Sequence, residues 1–161
     1  VTVAFRGRAI EICYSAGLRD TAGNPAHAAT FIRKRLIVLD QELRRKASEH
    51  ARILAHEIFH FAWVRLGNSA RLEWEAALRG EFARGVRGEA GWSAEWRKFQ
   101  LRRRDVRQRT RAWREYCCES FCDTAAAWLT GSLTEMTLPR RVLRARFAWL
   151  AASLPAEGLP I

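Results

Sequence analysis

Residues 36–66 read LIVLDQELRRKASEHARILAHEIFHFAWVRL, and their order decides the fold class. Leu36-Ile37-Val38-Leu39 is the buried part of a strand expected over 29–39. Asp40 is a helix N-cap candidate. Neither Gly nor Pro follows until Gly67, so the segment predicts a helix, its main part over 48–66 with Ser48 as a cap and Gly67 as its stop. A strand that runs almost directly into a long helix, in a chain of 161 residues, predicts one α+β domain.

Working outward, residues 1–14 (VTVAFRGRAIEICY) alternate and predict a strand pair turning near Arg6-Gly7-Arg8. Residues 15–26, with Gly17, Gly23, Asn24 and Pro25, read as a loop. Beyond Gly67 the pattern is helical. Trp74, Leu78 and Phe82 form a stripe within 69–84, and Gly85, Gly88 and Gly91 mark a loop. No Gly or Pro lies between Gly91 and Gly131. That predicts one long helix, or two with a kink near 110, capped by Ser93 and buried along Trp96, Phe99, Val106 and Trp113. Pro139 opens a last helix with Val142, Leu143, Phe147, Leu150 and Leu154 facing inward, and 155–161 reads as irregular. The expected architecture is a small N-terminal antiparallel or mixed sheet on helices, in a single domain 1–161 with 67–111 as a basic helical insertion.

Composition narrows the function classes. Hydrophobic content of 48% with seven Trp excludes disorder. The longest uncharged stretch, Thr124 to Thr134, is too short to cross a bilayer, so no membrane partner is expected. Cys13, Cys117, Cys118 and Cys122 do not space as a disulfide framework. With no signal-peptide pattern at the start, reduced thiols and a cytoplasmic setting are expected. The net charge is +11. Residues 97–114 (RKFQLRRRDVRQRTRAWR) hold nine basic residues against one acidic residue, and so +8 of that charge. This run reads either as a docking surface for nucleic acid or an acidic partner, or as the solvated outer face of a helix.

The chemistry lies in His56-Glu57-Ile58-Phe59-His60, an HExxH pattern on the predicted helix. Positions i and i+4 share a face, so His56 and His60 can bring two imidazole nitrogens to one ion. Glu57 projects about 100° around the helix from His56, beside such an ion, where it can take a proton from a water. A hydrolytic zinc site needs a third protein ligand, and no His follows His60. The third ligand is therefore a carboxylate or a thiolate. Glu119 is the leading candidate, with Asp123 one turn on to accept the free N–H of a ligating histidine. Glu115 is the alternative ligand on the same face. Cys118 and Cys122, also i and i+4, offer a thiolate alternative. Thr124, Ala125, Ala126 and Ala127 are small enough to let two ligand-bearing helices approach closely.

The chain resembles the gluzincin metallopeptidases, in which HExxH on one helix is completed by the Glu of an ExxxD motif on a later helix. Its layout is similar to the minigluzincins, in particular to ImmA/IrrE-type domains. Leu36 to Asp40, Ala55 to His60 and Glu119 to Asp123 carry the likeness over residues 29–66 and 112–130. The segment 67–111 is longer and more basic than such domains use, and Ile58-Phe59 stands where Leu-Gly is common. The resemblance implies one Zn2+ per chain held by His56, His60 and Glu119, and a peptide or protein as substrate, in a narrow range. It implies Glu57 as general base in water attack on a peptide carbonyl, Tyr116 as the candidate oxyanion stabiliser, and strand 33–39 as the edge that pairs with substrate. His27 and His50 read as ordinary polar residues. The alternative reading is a basic nucleic-acid-binding or regulatory module in which HExxH is vestigial or structural.

Overall fold

A computed structural model describes residues 3–20, 23–154 and 158–161. Val1 and Thr2 of the expected strand pair, residues 21–22 of the expected loop and 155–157 of the expected tail lie outside the described residues. The chain is α+β. Its strands are β1 (Phe5–Arg6), β2 (Glu11–Ser15), β3 (Ala28–Phe31), β4 (Leu36–Asp40) and β5 (Leu159–Pro160). Its helices are α1 (Ala47–Arg65), α2 (Asn68–Ala83), α3 (Trp92–Gln100), α4 (Arg103–Gln108), α5 (Arg111–Thr130) and α6 (Arg140–Ser153). Among the described residues no helix is long and apolar enough to cross a membrane.

The main sheet has the order β2-β4-β3, with β4 parallel to β2 and antiparallel to β3. The run LIVL behaves as its composition requires. Ile37 and Leu39 are fully buried and pack with Leu43, Ile53 and Phe61 beneath α1, while their neighbours point the other way. Asp40 caps the 3-10 turn at Gln41–Arg45 by accepting from the Glu42 N–H at 2.9 Å, which turns the chain from sheet to α1.

Helix α5 is the axis of the molecule. Thr124, Ala125, Ala126 and Ala127 are at most 1% exposed. The α1–α5 seam holds Phe59, Ala62 and Trp63 against Phe121, Cys122 and Ala125, closed by Trp74 from α2 and Leu150 from α6. Phe121 packs against Phe59, Trp63, Trp74 and Trp149 with ring centroids 5.2–6.4 Å apart. Truncating such a ring to Ala removes roughly 3–5 kcal/mol.

Several expectations are corrected. Residues 3–14 do not form a hairpin: β1 pairs in parallel with β5, from the tail expected to be irregular, and β2 pairs with β4. The strand expected over 29–39 is two strands, broken by a 3-10 turn at Ile32–Lys34 and by Arg35, which has φ 52°. Between Gly91 and Gly131 the chain forms three helices, so the break expected near 110 is present and a second one is added. One break follows Leu101, where the Asp105 carboxylate caps the Arg102 N–H at 2.9 Å. The other sits at Arg109, whose φ is 48° and whose guanidinium makes two bonds to Glu75, at 2.8 and 2.9 Å. Thr110, not Ser93, is a side-chain N-cap here, opening α5. Trp96 and Phe99 are 51% and 82% exposed, so they do not line the core; Trp113 does.

Arg146 on α6 is 2% exposed. It pairs with Glu81 at 2.6 Å and with Glu89 at 2.6 Å, and its guanidinium lies 5.6 Å from the centre of the Trp74 ring. Glu89 also takes Lys98 Nζ at 2.8 Å and the Tyr116 hydroxyl at 2.6 Å. Burial pushes the Glu89 carboxyl up, but Arg146 and Lys98 outweigh it and hold its pKa at about 2. This network anchors the loop that leads into α3. Gly88, at φ 78°, lies so close to the Thr137 backbone that a Cβ would meet the carbonyl oxygen at 2.3 Å.

Candidate metal centre

Helix α1 presents His56 and His60 from one face, with ring centroids 4.9 Å apart and planes at 75°. Their Nε2 atoms are 3.1 Å apart. Helix α5 brings Glu119 Oε2 to 3.3 Å from His56 Nε2 and 3.9 Å from His60 Nε2. The three donors form a triangle. Tetrahedral zinc with bonds of about 2.0–2.1 Å places its donors about 3.3 Å apart, so the separations and the N2O donor set both fit such an ion. A Glu57 donor lies within 4.8 Å of donors from both histidines.

Each of these side chains is held by a second partner. His56 Nδ1 donates to Asp123 Oδ1 at 2.7 Å, and Asp123 Oδ2 accepts from the Ala94 N–H at 2.9 Å. Glu57 Oε2 accepts from the Thr30 hydroxyl at 2.6 Å, which ties the catalytic candidate to β3. Glu119 Oε2 accepts from Ser93 Oγ at 2.6 Å, and Arg97 approaches Glu119 Oε1 at 3.3 Å. His60 Nδ1 faces Cys118 Sγ and Cys122 Sγ, each at 3.5 Å.

Charge compensation follows this geometry. Burial disfavours a charged His56, but the Asp123 carboxylate and then Glu119 raise its pKa well above the ordinary value. Burial likewise disfavours an ionised Glu119; the His56 hydrogen bond and the charges of His60 and Arg97 hold its carboxyl far below the usual range. Carboxylates and imidazoles stabilise each other in a pocket from which water is mostly excluded.

The structure thus brings His56, His60, Glu57, Glu119 and Asp123 together. Glu115 stands apart, half exposed and paired with Arg111 at 2.6 Å. Tyr116 is 1% exposed, with its hydroxyl committed to Glu89, because its position on α5 faces α6 and the Glu89 loop. Comparison with family models, with curated proteins and with solved structures finds no match to this chain. The edge expected at 33–39 is corrected: β4 is the central strand and is paired on both sides. The strand beside Glu57 is β3, an edge strand whose outer side has no backbone partner among the described residues.

Sequence reasoning missed Thr30, Ser93 and Arg97. Ser93 was read as a cap, and Arg97 as part of the basic run. Only the i, i+4 spacing of Ser93 and Arg97 marked them as neighbours, and nothing local pointed them at Glu119. Gly91 was read as a loop residue. A Cβ there would meet the Asp123 carboxylate carbon at 2.5 Å, so only glycine lets the loop lie against that group.

Proposed function

We propose that the chain is a zinc-dependent peptidase of the gluzincin type. The observation that carries this reading is the convergence of His56 Nε2, His60 Nε2 and Glu119 Oε2, at 3.1, 3.3 and 3.9 Å, beside a Glu57 carboxylate fixed by Thr30. These three residues would hold one zinc ion, which supplies Lewis acidity toward a water and a carbonyl oxygen.

The chain's own groups account for the remaining steps. Asp123 accepts a hydrogen bond from His56 Nδ1–H, which keeps the Nε2 lone pair toward the donor triangle. Thr30 fixes the Glu57 carboxylate through Oε2, and the carboxylate takes a proton from the attacking water and delivers it to the departing amide nitrogen. The open edge of β3 offers N–H and C=O groups to an extended peptide, which the same strand then aligns with Glu57.

Metal analysis and hydrolysis of a random peptide library, read by mass spectrometry, test this reading. The parent chain is expected to hold one zinc. Glu57→Gln is expected to keep zinc and lose about 10²–10⁴ in rate. Glu119→Ala is expected to lose zinc. Full activity in the first variant, or full zinc in the second, refutes the assignment.

A second reading rests on α3. Trp92, Trp96 and Phe99 are 65%, 51% and 82% exposed, close in sequence to exposed Arg102, Arg103 and Arg104. Aromatic faces beside cations suit single-stranded nucleic acid. Of the nine basic residues in 97–114, Arg97, Lys98, Arg109 and Arg111 are already paired with carboxylates. Binding that falls steeply with salt and disappears in Trp96→Ala supports the second reading. Absence of binding to single-stranded DNA at low salt removes it.

A further inference from the structure

We propose a second, thiophilic metal site on the opposite edge of the His60 ring, formed by His60 Nδ1, Cys118 Sγ and Cys122 Sγ. Both sulfurs lie 3.5 Å from Nδ1, and the three donor atoms lie within 4.8 Å of one another. Cys118 and Cys122 are one turn apart on α5, so both thiols leave the same face of that helix. A tetrahedral ion with one N bond of about 2.0 Å and S bonds of about 2.3 Å sets its N–S edges near 3.5 Å.

With no ion bound the same atoms can hydrogen-bond, His60 Nδ1–H serving one sulfur and a thiol S–H completing the set. Two sulfurs and one imidazole nitrogen are also the donor set of a soft ion such as Cu(I), Zn2+ or Cd2+, and a poor one for Mg2+ or Ca2+. The surroundings also suit a site. Cys122 is fully buried and Cys118 is partly exposed, which gives a closed floor and a path in. Cys117, adjacent in sequence, is buried in the hydrophobic core, so the Cys-Cys pair divides between core and site.

The site uses a nitrogen that the peptidase reading leaves to a hydrogen bond, and it does not rest on that reading. The two sites share one imidazole, and a neutral ring carries one proton and offers one lone pair. Occupation of Nδ1 therefore competes with use of Nε2, so a thiophilic ion acts on the first site through a single ring. Both sulfurs bind as thiolates, and the protons they still carry go to solvent.

The test is an anaerobic cadmium titration that follows thiolate-to-metal charge-transfer absorption, with circular dichroism as the fold control. The parent chain and Glu119→Ala are both expected to develop the band, saturating at one equivalent. C118S/C122S is expected to lose the band and about 100-fold or more in cadmium affinity at this site. Cys13→Ser, which alters a thiol directed at the Ile37 carbonyl, is expected to keep the band. A parent chain with no band at stoichiometric cadmium, a band that survives in C118S/C122S, or a band lost in Glu119→Ala overturns the proposal. Failure of the peptidase reading would instead show as undiminished hydrolysis in Glu57→Gln, which leaves all three donors of the thiophilic site in place.

Discussion

Replacing Gly91 by Ala tests the support of the metal centre with a single methyl group. The backbone accepts the change, because φ at Gly91 is −162°, an extended value open to any residue. The added Cβ would lie 2.5 Å from the Asp123 carboxylate carbon and 2.6 and 2.8 Å from its oxygens. Ordinary contact begins near 3.4 Å, so the carboxylate must retreat by about 0.9 Å. A retreat of that size breaks both the 2.7 Å bond from His56 Nδ1 and the 2.9 Å bond from the Ala94 N–H. Loss of the carboxylate partner of a ligating histidine typically costs 10–100-fold in metal affinity, about 1.4–2.7 kcal/mol. Zinc affinity, measured by competition with a chromophoric chelator, should fall by that factor in Gly91→Ala. Asp123→Ala should match it, and the double variant should lose little more, because both act through one contact. A folded Gly91→Ala that binds zinc within twofold of the parent refutes the argument that Asp123 orients His56.

Arg146→Met should destabilise the chain by about 3–5 kcal/mol in urea unfolding, because it leaves Glu81 buried without its cation and Glu89 with Lys98 alone; a loss below 1 kcal/mol would show that the network is not buried in solution. Glu89 carries a pH dependence of definite sign. Its folded pKa of about 2 lies below the ordinary 4.5, so its contribution is complete above about 4.5 and lost as the pH falls toward 2. Glu89→Gln should therefore flatten the acid limb of the stability profile, and an unchanged slope would contradict the assignment. Trp96→Ala should change stability by no more than about 0.5 kcal/mol, since that ring is half exposed, whereas fully buried Trp74→Ala should cost about 3–5 kcal/mol; equal losses in calorimetry would place both rings in the core.

The candidate site was legible where its geometry is local. His56 and His60, and Glu119 and Asp123, are each one turn apart on one helix, so spacing alone shows which side chains share a face. The LIVL run announced its burial for the same reason. Thr30, Ser93 and Arg97 were not legible, because each acts across a contact between segments distant in sequence. The exposed Trp96 and Phe99 show the limit of periodicity: it identifies an apolar face but not whether another element covers it. The break near 110 was among the expectations, but the one at 101–102 depends on Asp105, an acidic side chain whose capping role was not visible as punctuation. The β1–β5 pairing joins residues more than 150 positions apart, and no local pattern encodes it.

The position of Arg146 has a consequence for how the chain is made. Synthesis delivers His56 and His60 first, then Glu81 and Glu89, then Glu119, and Arg146 after all of them. Until α6 leaves the ribosome, Glu81 lacks the guanidinium it pairs with and Glu89 has Lys98 alone, which leaves the loop before α3 without its full set of partners. That loop carries Gly91, Ser93 and Ala94, which set Asp123 and Glu119 in place. A nascent chain therefore holds its histidine pair long before it can present a finished donor triangle. Assembly of the centre is timed by a residue that never touches it.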